Sequence, residues 1–149
     1  MTTHDHAAYI RAMVAALQEN SIPTIGEPVC YIDPDHGRSA VIALDPAHTR
    51  AVYPGLRYVD ATEYGLLWSE VLGWNFGPLA DGKVAPVISL QSESIELAPA
   101  PDDVIDGEWG LLHIFRRPIR MASKLMLYGQ SEADKAQLAR TLAAYADSE

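Results

Sequence analysis

The chain has 149 residues, of which 48% are hydrophobic and 21% charged, and these are the proportions of an ordinary globular protein. Its formal net charge of −9 repels nucleic-acid backbones and anionic membrane surfaces, so we expect neither as a partner. The single cysteine, Cys30, excludes an intrachain disulfide and a cysteine-rich zinc site. Since the sequence has no export signal and no apolar run of membrane-spanning length, we expect one cytoplasmic domain over residues 1–149.

The first predicted element is a helix. Apolar residues recur at spacings of three and four from Tyr9 to Leu17, as on one face of a helix. Thr3 or Asp5 is suited to capping its start. His4 and His6 would give a metal only two ligands, so we expect them to lie in a solvated tail.

Short β-rich runs separated by turn-forming residues occupy the middle of the chain. Asp45-Pro46 is typical of a helix start and predicts a short helix over 45–52. Because the other connections are short, we expect an antiparallel meander. The predicted strands are Val29–Ile32, Ser39–Leu44, Tyr64–Ser69, Trp74–Phe76 and Val84–Leu90.

The C-terminal third is predicted to be mainly helical. Residues 108–116 suit both a helix and a strand, and we favour the helix. Pro118 and Gly129 bracket a further helix, and the capping signature Ser131-x-x-Asp134 begins the last one. The fold class is therefore predicted as α+β, an antiparallel sheet of about five strands flanked by N- and C-terminal helices.

The pattern Asp-Pro-x-His-x-Arg occurs twice, at residues 33–38 and 45–50. Two histidines and two aspartates could form one metal or hydrolytic site if the copies met. The strand predicted between them places them at opposite ends, roughly 20 Å apart at about 3.3 Å per residue. We therefore interpret the first copy as a hairpin turn and the second as a helix cap.

No catalytic residue, cofactor or metal is assigned from the sequence. A thiolate at Cys30 with His113 as its base is chemically conceivable, but no feature of the sequence pairs them. The motifs of serine hydrolases, zinc proteases, P-loop proteins and dinucleotide-binding proteins are absent. Whether the chain is an enzyme stays open at this point.

Two groups of residues are the candidate binding sites. Trp68 and Trp74 flank a tight turn and suit either the core or an exposed contact surface for a partner. A basic segment stands out in an acidic chain and suits an anionic ligand or an acidic partner, or internal pairing with carboxylates at residues 102–108. Its members are Arg116, Arg117, Arg120 and Lys124.

The stretch Leu66–Trp74, between a helix over Tyr9–Leu17 and the residues Pro99–Val104, resembles a family of small actinobacterial proteins known as a domain of unknown function. That family often shows a Trp-acidic pair followed by Gly-Trp, and Ser69 here departs from the first acidic position. The resemblance covers residues from about 8 to 105 and implies no activity. In outline the fold is also similar to secretion-chaperone-like domains, which bind polypeptides.

These observations predict a non-enzymatic interaction or regulatory module that binds a partner protein or a second copy of itself. The alternative is a protein or enzyme that binds a small anionic metabolite.

Overall fold

The computed structural model describes residues 5–52, 63–86, 88–90, 97–107, 110–112 and 132–148. Within these ranges the helices are α1 (Ala7–Glu19), α2 (Pro46–Val52), α3 (Pro101–Asp106) and α4 (Glu132–Ser148). The strands are β1 (Thr24–Asp33), β2 (Gly37–Leu44), β3 (Tyr64–Ser69), β4 (Gly73–Ala80), β5 (Lys83–Val84) and β6 (Ile88–Ser89).

The strands form one antiparallel, curled sheet. Strands β1 to β5 are neighbours in chain order, and β6 pairs with β4 beside β5. The predicted α+β class, with its antiparallel sheet and its N- and C-terminal helices, is confirmed. The run Val84–Leu90 differs from the prediction because it forms two short strands instead of one, and Pro86 between them has no N–H for the ladder.

The two faces of the sheet bury different apolar sets because side chains alternate along each strand. One face carries the main core, to which α1 and α4 both contribute buried side chains. We call the other side the second face. On it Val41 and Leu67 pack with Leu72 and with Val84, which the β4–β5 hairpin folds back over the sheet. The main core contains, among others, Ile10, Met13, Ile42, Leu66, Trp68, Trp74, Phe76, Leu138 and Leu142.

Trp68 and Trp74 lie in the main core, and both side chains are fully buried. The Trp74 indole N–H donates to the Tyr9 hydroxyl at 2.9 Å, and this hydroxyl donates to the Pro99 carbonyl at 2.5 Å. The Trp68 indole N–H donates to the Leu97 carbonyl at 2.9 Å. The core interpretation of this ring pair is confirmed, since buried indoles need a partner for their N–H.

Three-residue turns of one design close the first two hairpins. The Asp33 carboxylate accepts the backbone N–H groups of Asp35 and His36. The Ser69 hydroxyl accepts those of residues 71 and 72 in the second turn. Gly37 and Gly73 end these turns with φ of 70°, a backbone conformation that glycine adopts without strain.

Arg38, at the start of β2, links the N-terminus to the β3–β4 turn. Its guanidinium donates to both oxygens of Asp5, at 2.6 and 3.0 Å. It also donates to Glu70 at 2.8 Å, while the Arg38 backbone N–H donates to the same carboxylate. This network corrects one expectation, because Asp5 binds Arg38 and the residue that caps α1 is His6, without a side-chain cap bond.

His6 corrects a second expectation. Its side chain is fully buried instead of solvated. The ring Nε2 lies 2.9 Å from the Ser39 carbonyl, and the ring packs beside the Trp68 indole with centroids 5.7 Å apart. His4 lies outside the described residues.

The two Asp-Pro-x-His-x-Arg copies lie at opposite ends of β2, as the strand between them predicts. Asp33 stabilises the hairpin turn. Asp45 caps α2, since its carboxylate accepts the Ala47 N–H at 3.0 Å.

The predicted last helix is present as α4, with Leu138 and Leu142 buried. Helix α3 after Pro99 ends at Asp106, and within the run 108–116, for which a helix is favoured, Leu111 and Leu112 are helical. The other residues of 108–116, and the helix predicted between Pro118 and Gly129, lie outside the described residues. Among the described helices, none has the length and apolar character needed to cross a membrane.

Candidate functional site

The residues selected from the sequence do not form a common site in the described structure. The basic segment Arg116, Arg117, Arg120 and Lys124 lies outside the described residues, as does His113, so the anion-site hypothesis stays a prediction. Trp68 and Trp74 are fully buried and expose no ring surface. Cys30 is half-buried in β1, and burial raises the pKa of its thiol, which favours the unreactive protonated form.

Strand β1 is the candidate contact surface of the described structure. It is the end strand of the sheet, and in the described part of the chain no strand pairs with its outer edge. Its register with β2 shifts between Ile25 and Val29. Gly26 in this interval has a φ of 67°, and Pro28 lacks an N–H, so the bulge keeps the first half of the strand from regular pairing. Residues 29–33 pair regularly with β2, which leaves alternate N–H and C=O groups directed outward.

The outer strand also exposes apolar side chains. Within the described residues the exposed large apolar side chains are Ile25, Val29 and Ile32, with exposed fractions of 50%, 57% and 46%. All three belong to β1. A run of this kind on a sheet edge is a template for another strand, which natural proteins normally cover or block with charge.

A groove of about 440 Å³ adjoins β1 on the second face of the sheet. Val29 and Tyr31 form its β1 side, and the apolar floor contains Leu67, Leu72 and Val84. Polar side chains at its rim come from the two nearby turns, namely Asp33, His36, Asp81 and Lys83. The groove is therefore continuous with the exposed strand and has an apolar floor below a polar rim.

Close packing of β5 over β3 shapes the end of the groove. A Cβ built on Gly65 would lie 2.8 Å from the Ile42 carbonyl oxygen and 3.0 Å from Val84 Cγ2. Only a residue without a side chain lets the β4–β5 hairpin approach the sheet this closely. The hairpin tip with Asp81 and Lys83 then faces the β1–β2 turn across the groove.

The electrostatics of this region are acidic along the strand. Between Thr24 and Gly37 the sequence has Glu27, Asp33 and Asp35 and no Lys or Arg. The Asp35 and His36 backbone N–H groups, followed by the charges of His36 and Lys83, hold the pKa of Asp33 below its ordinary value. Asp33 is therefore an anion over the whole neutral range.

Tyr31 responds to the same environment. Burial and the nearby Asp33 charge raise the pKa of its phenol above the ordinary value, while a hydrogen bond with Ser39 lowers it. The phenol therefore stays protonated and keeps an O–H at the groove.

The described arrangement offers binding surface more than reaction chemistry. No group of three His, Cys, Asp or Glu side chains within the described ranges is placed to hold a metal ion. His36 Nδ1 lies 3.5 Å from Asp33 Oδ1, but that carboxylate accepts two backbone N–H groups of its own turn. Asp33 therefore acts first as a turn residue.

Sequence reasoning missed this strand as a site. It placed the strand at Val29–Ile32, whereas β1 begins at Thr24. The signal was present, because Gly26 and Pro28 inside a β-rich run are typical of an edge strand. An edge strand with apolar residues on both sides of such a break is a candidate contact surface.

Comparison of the chain with protein-family models, with curated proteins and with solved structures finds no match in any of the three. The resemblance to the actinobacterial family of unknown function therefore stays a prediction.

Proposed function

We propose that this protein is a non-enzymatic interaction module that binds a partner polypeptide along the outer edge of β1. One observation carries the proposal. The exposed large apolar side chains of the described structure, Ile25, Val29 and Ile32, all lie on the end strand of the sheet.

Two physical arguments support strand addition as the binding mode. The outward N–H and C=O groups of an end strand form main-chain hydrogen bonds with any extended segment, whatever its side chains. The flanking apolar residues and the adjoining groove then give specificity through alternate side chains of the added strand. Covering these side chains also removes apolar surface from water, which is a favourable contribution to binding.

The experiment is site-specific crosslinking in cells of the native host. A photo-crosslinking amino acid is placed at Val29 and, as a matched control, at Ala139, an exposed residue of α4. We expect a discrete crosslinked protein from position 29 and none from position 139.

A second variant tests the apolar contact itself. Adding Ile25→Gln and Ile32→Gln to the position-29 protein should abolish the crosslink, while the thermal unfolding temperature should be nearly unchanged because both side chains are about half exposed. Equal crosslinking at positions 29 and 139, or a product insensitive to the two glutamines, contradicts the proposal.

A further inference from the structure

We infer that the segment which binds β1 is an extended, basic stretch of a different protein, with apolar residues at alternate positions and a Lys or Arg at each end. This inference rests on the proposed function and names the chemistry of the partner.

The charges of the strand select a basic partner. Glu27 precedes the regularly paired residues 29–33, Asp33 is the last of them, and Asp35 follows in the turn. Arg38 is the nearest cation along the chain, and it binds Asp5 and Glu70. Arg11 of α1 is a further cation near the strand, where its charge acts on Cys30. Lys83 acts on Asp33 across the groove, but Glu27 and Asp35 are both exposed. An added strand with a cation near each end places unlike charges opposite one another, which favours the pair.

The same charges oppose a second copy of this chain as the occupant. Two antiparallel β1 strands related by a two-fold axis pair their apolar residues when the axis passes near Cys30 or Tyr31. Glu27 then lies near Asp33 or Asp35 of the second copy, at both ends of the pairing. Like charges opposite one another destabilise a strand pair, and each copy has a net charge of −9.

The alternation of β1 sets the spacing of the partner residues. Val29, Tyr31 and Asp33 share the face that lines the groove, since they pair with Val41, Ser39 and Gly37 of β2. A strand beside them directs every second side chain over the same groove. From Val29 to Asp33 is about 13 Å at 3.3 Å per residue, so a segment of about seven residues spans the apolar part and reaches both acidic ends.

The test measures peptide binding to the full-length chain by fluorescence anisotropy. One labelled peptide of about seven residues alternates threonine and valine between two terminal lysines, and a matched peptide has terminal glutamates. We expect the lysine peptide to bind at least tenfold more tightly, with an affinity that falls as salt rises. N-methylation of alternate amides in the lysine peptide should abolish binding, because a methylated amide cannot pair with β1.

Protein variants locate the effect. Asp33→Asn keeps a side-chain oxygen for the turn, and together with Glu27→Gln it removes two charges of the strand. This double variant should lose most of the preference for the lysine peptide. The control Glu132→Gln, at the exposed start of α4, should keep it.

Three results overturn the inference. If the two peptides bind equally well and this binding is lost in the Val29→Gln, Ile32→Gln protein, β1 is the docking edge but charge does not select its partner. Dimerisation in sedimentation experiments that is lost in the same variant makes a second copy the occupant. Failure of both peptides to bind at millimolar concentration rejects an added basic strand, and the crosslinking at position 29 then decides the proposed function separately.

Discussion

Strands β1 and β3 are both rich in apolar residues, yet they differ in burial. All six residues of β3 are buried, whereas none of the ten residues of β1 is. The difference follows from their positions in the sheet. Strand β3 lies between β2 and β4, with the main core on one face and the β4–β5 hairpin over the other. Among the described strands, β1 pairs with β2 alone.

The comparison shows why apolar composition alone does not identify a binding surface. Trp68 and Trp74 have the larger aromatic area, but central strands bury them. The smaller side chains of Ile25, Val29 and Ile32 remain exposed because no other described strand pairs beside them. An edge position thus matters more than residue type in locating the candidate surface.

The largest contrast should come from truncating one side chain in each region. Trp74→Ala should lower the free energy of unfolding by about 3–5 kcal/mol, because it leaves a cavity and removes the donor to the Tyr9 hydroxyl. Val29→Ala, at a residue 57% exposed, should change it by less than about 0.5 kcal/mol. Urea unfolding monitored by far-ultraviolet circular dichroism measures both changes. Equal decreases in the free energy of unfolding would contradict the difference in packing between the central and the edge strand.

A smaller difference in stability is expected from substituting one glycine in each strand. Gly65→Ala should cost about 1–3 kcal/mol, because the new Cβ would press against the Ile42 carbonyl and Val84. Gly26 has open space around it but a φ of 67°, so Gly26→Ala should cost about 1–2 kcal/mol through its backbone alone.

Asparagine separates the two causes in the same unfolding experiment. It tolerates a positive φ, so Gly26→Asn should recover most of the stability lost in Gly26→Ala. The cost at Gly65 comes from packing, and Asn should increase it. A full recovery at both positions would show that β5 does not press on β3.

The smallest effect is pH-dependent and concerns the contact between the N-terminus and β2. Arg38 holds the pKa of Asp5 below its ordinary value of 3.8, so the pair stabilises the fold above that pH, and the contribution is lost as the pH falls through the lowered pKa. Because both side chains are partly exposed, Asp5→Asn should cost only about 0–1 kcal/mol at pH 7.

Urea unfolding of the parent and Asp5→Asn proteins at a series of pH values checks this sign. The difference between the two proteins should shrink below about pH 4. A difference that is constant from pH 7 to pH 2.5 would assign the loss to packing instead of to the ion pair.

Much of the fold could be predicted because it depends on short-range patterns. The β-rich runs Ser39–Leu44 and Tyr64–Ser69 predict strands with the bounds nearly as observed, and capping at Asp45 predicts α2. The burial of His6 could not be predicted, because its partners, the Ser39 carbonyl and the Trp68 ring, are distant in sequence. The binding of Asp5 to Arg38 cannot be predicted for the same reason, since Arg38 is 33 residues away.

Most of the described elements, the turns and the acidic character of residues 27–35 could be predicted, since each follows from neighbouring residues along the chain. The folded chain alone shows which apolar strand is covered. Burial depends on how many neighbours a strand has and on what packs over its faces, and these contacts join residues that are far apart in the chain. The candidate surface on β1 therefore depends on the order of the strands in the sheet.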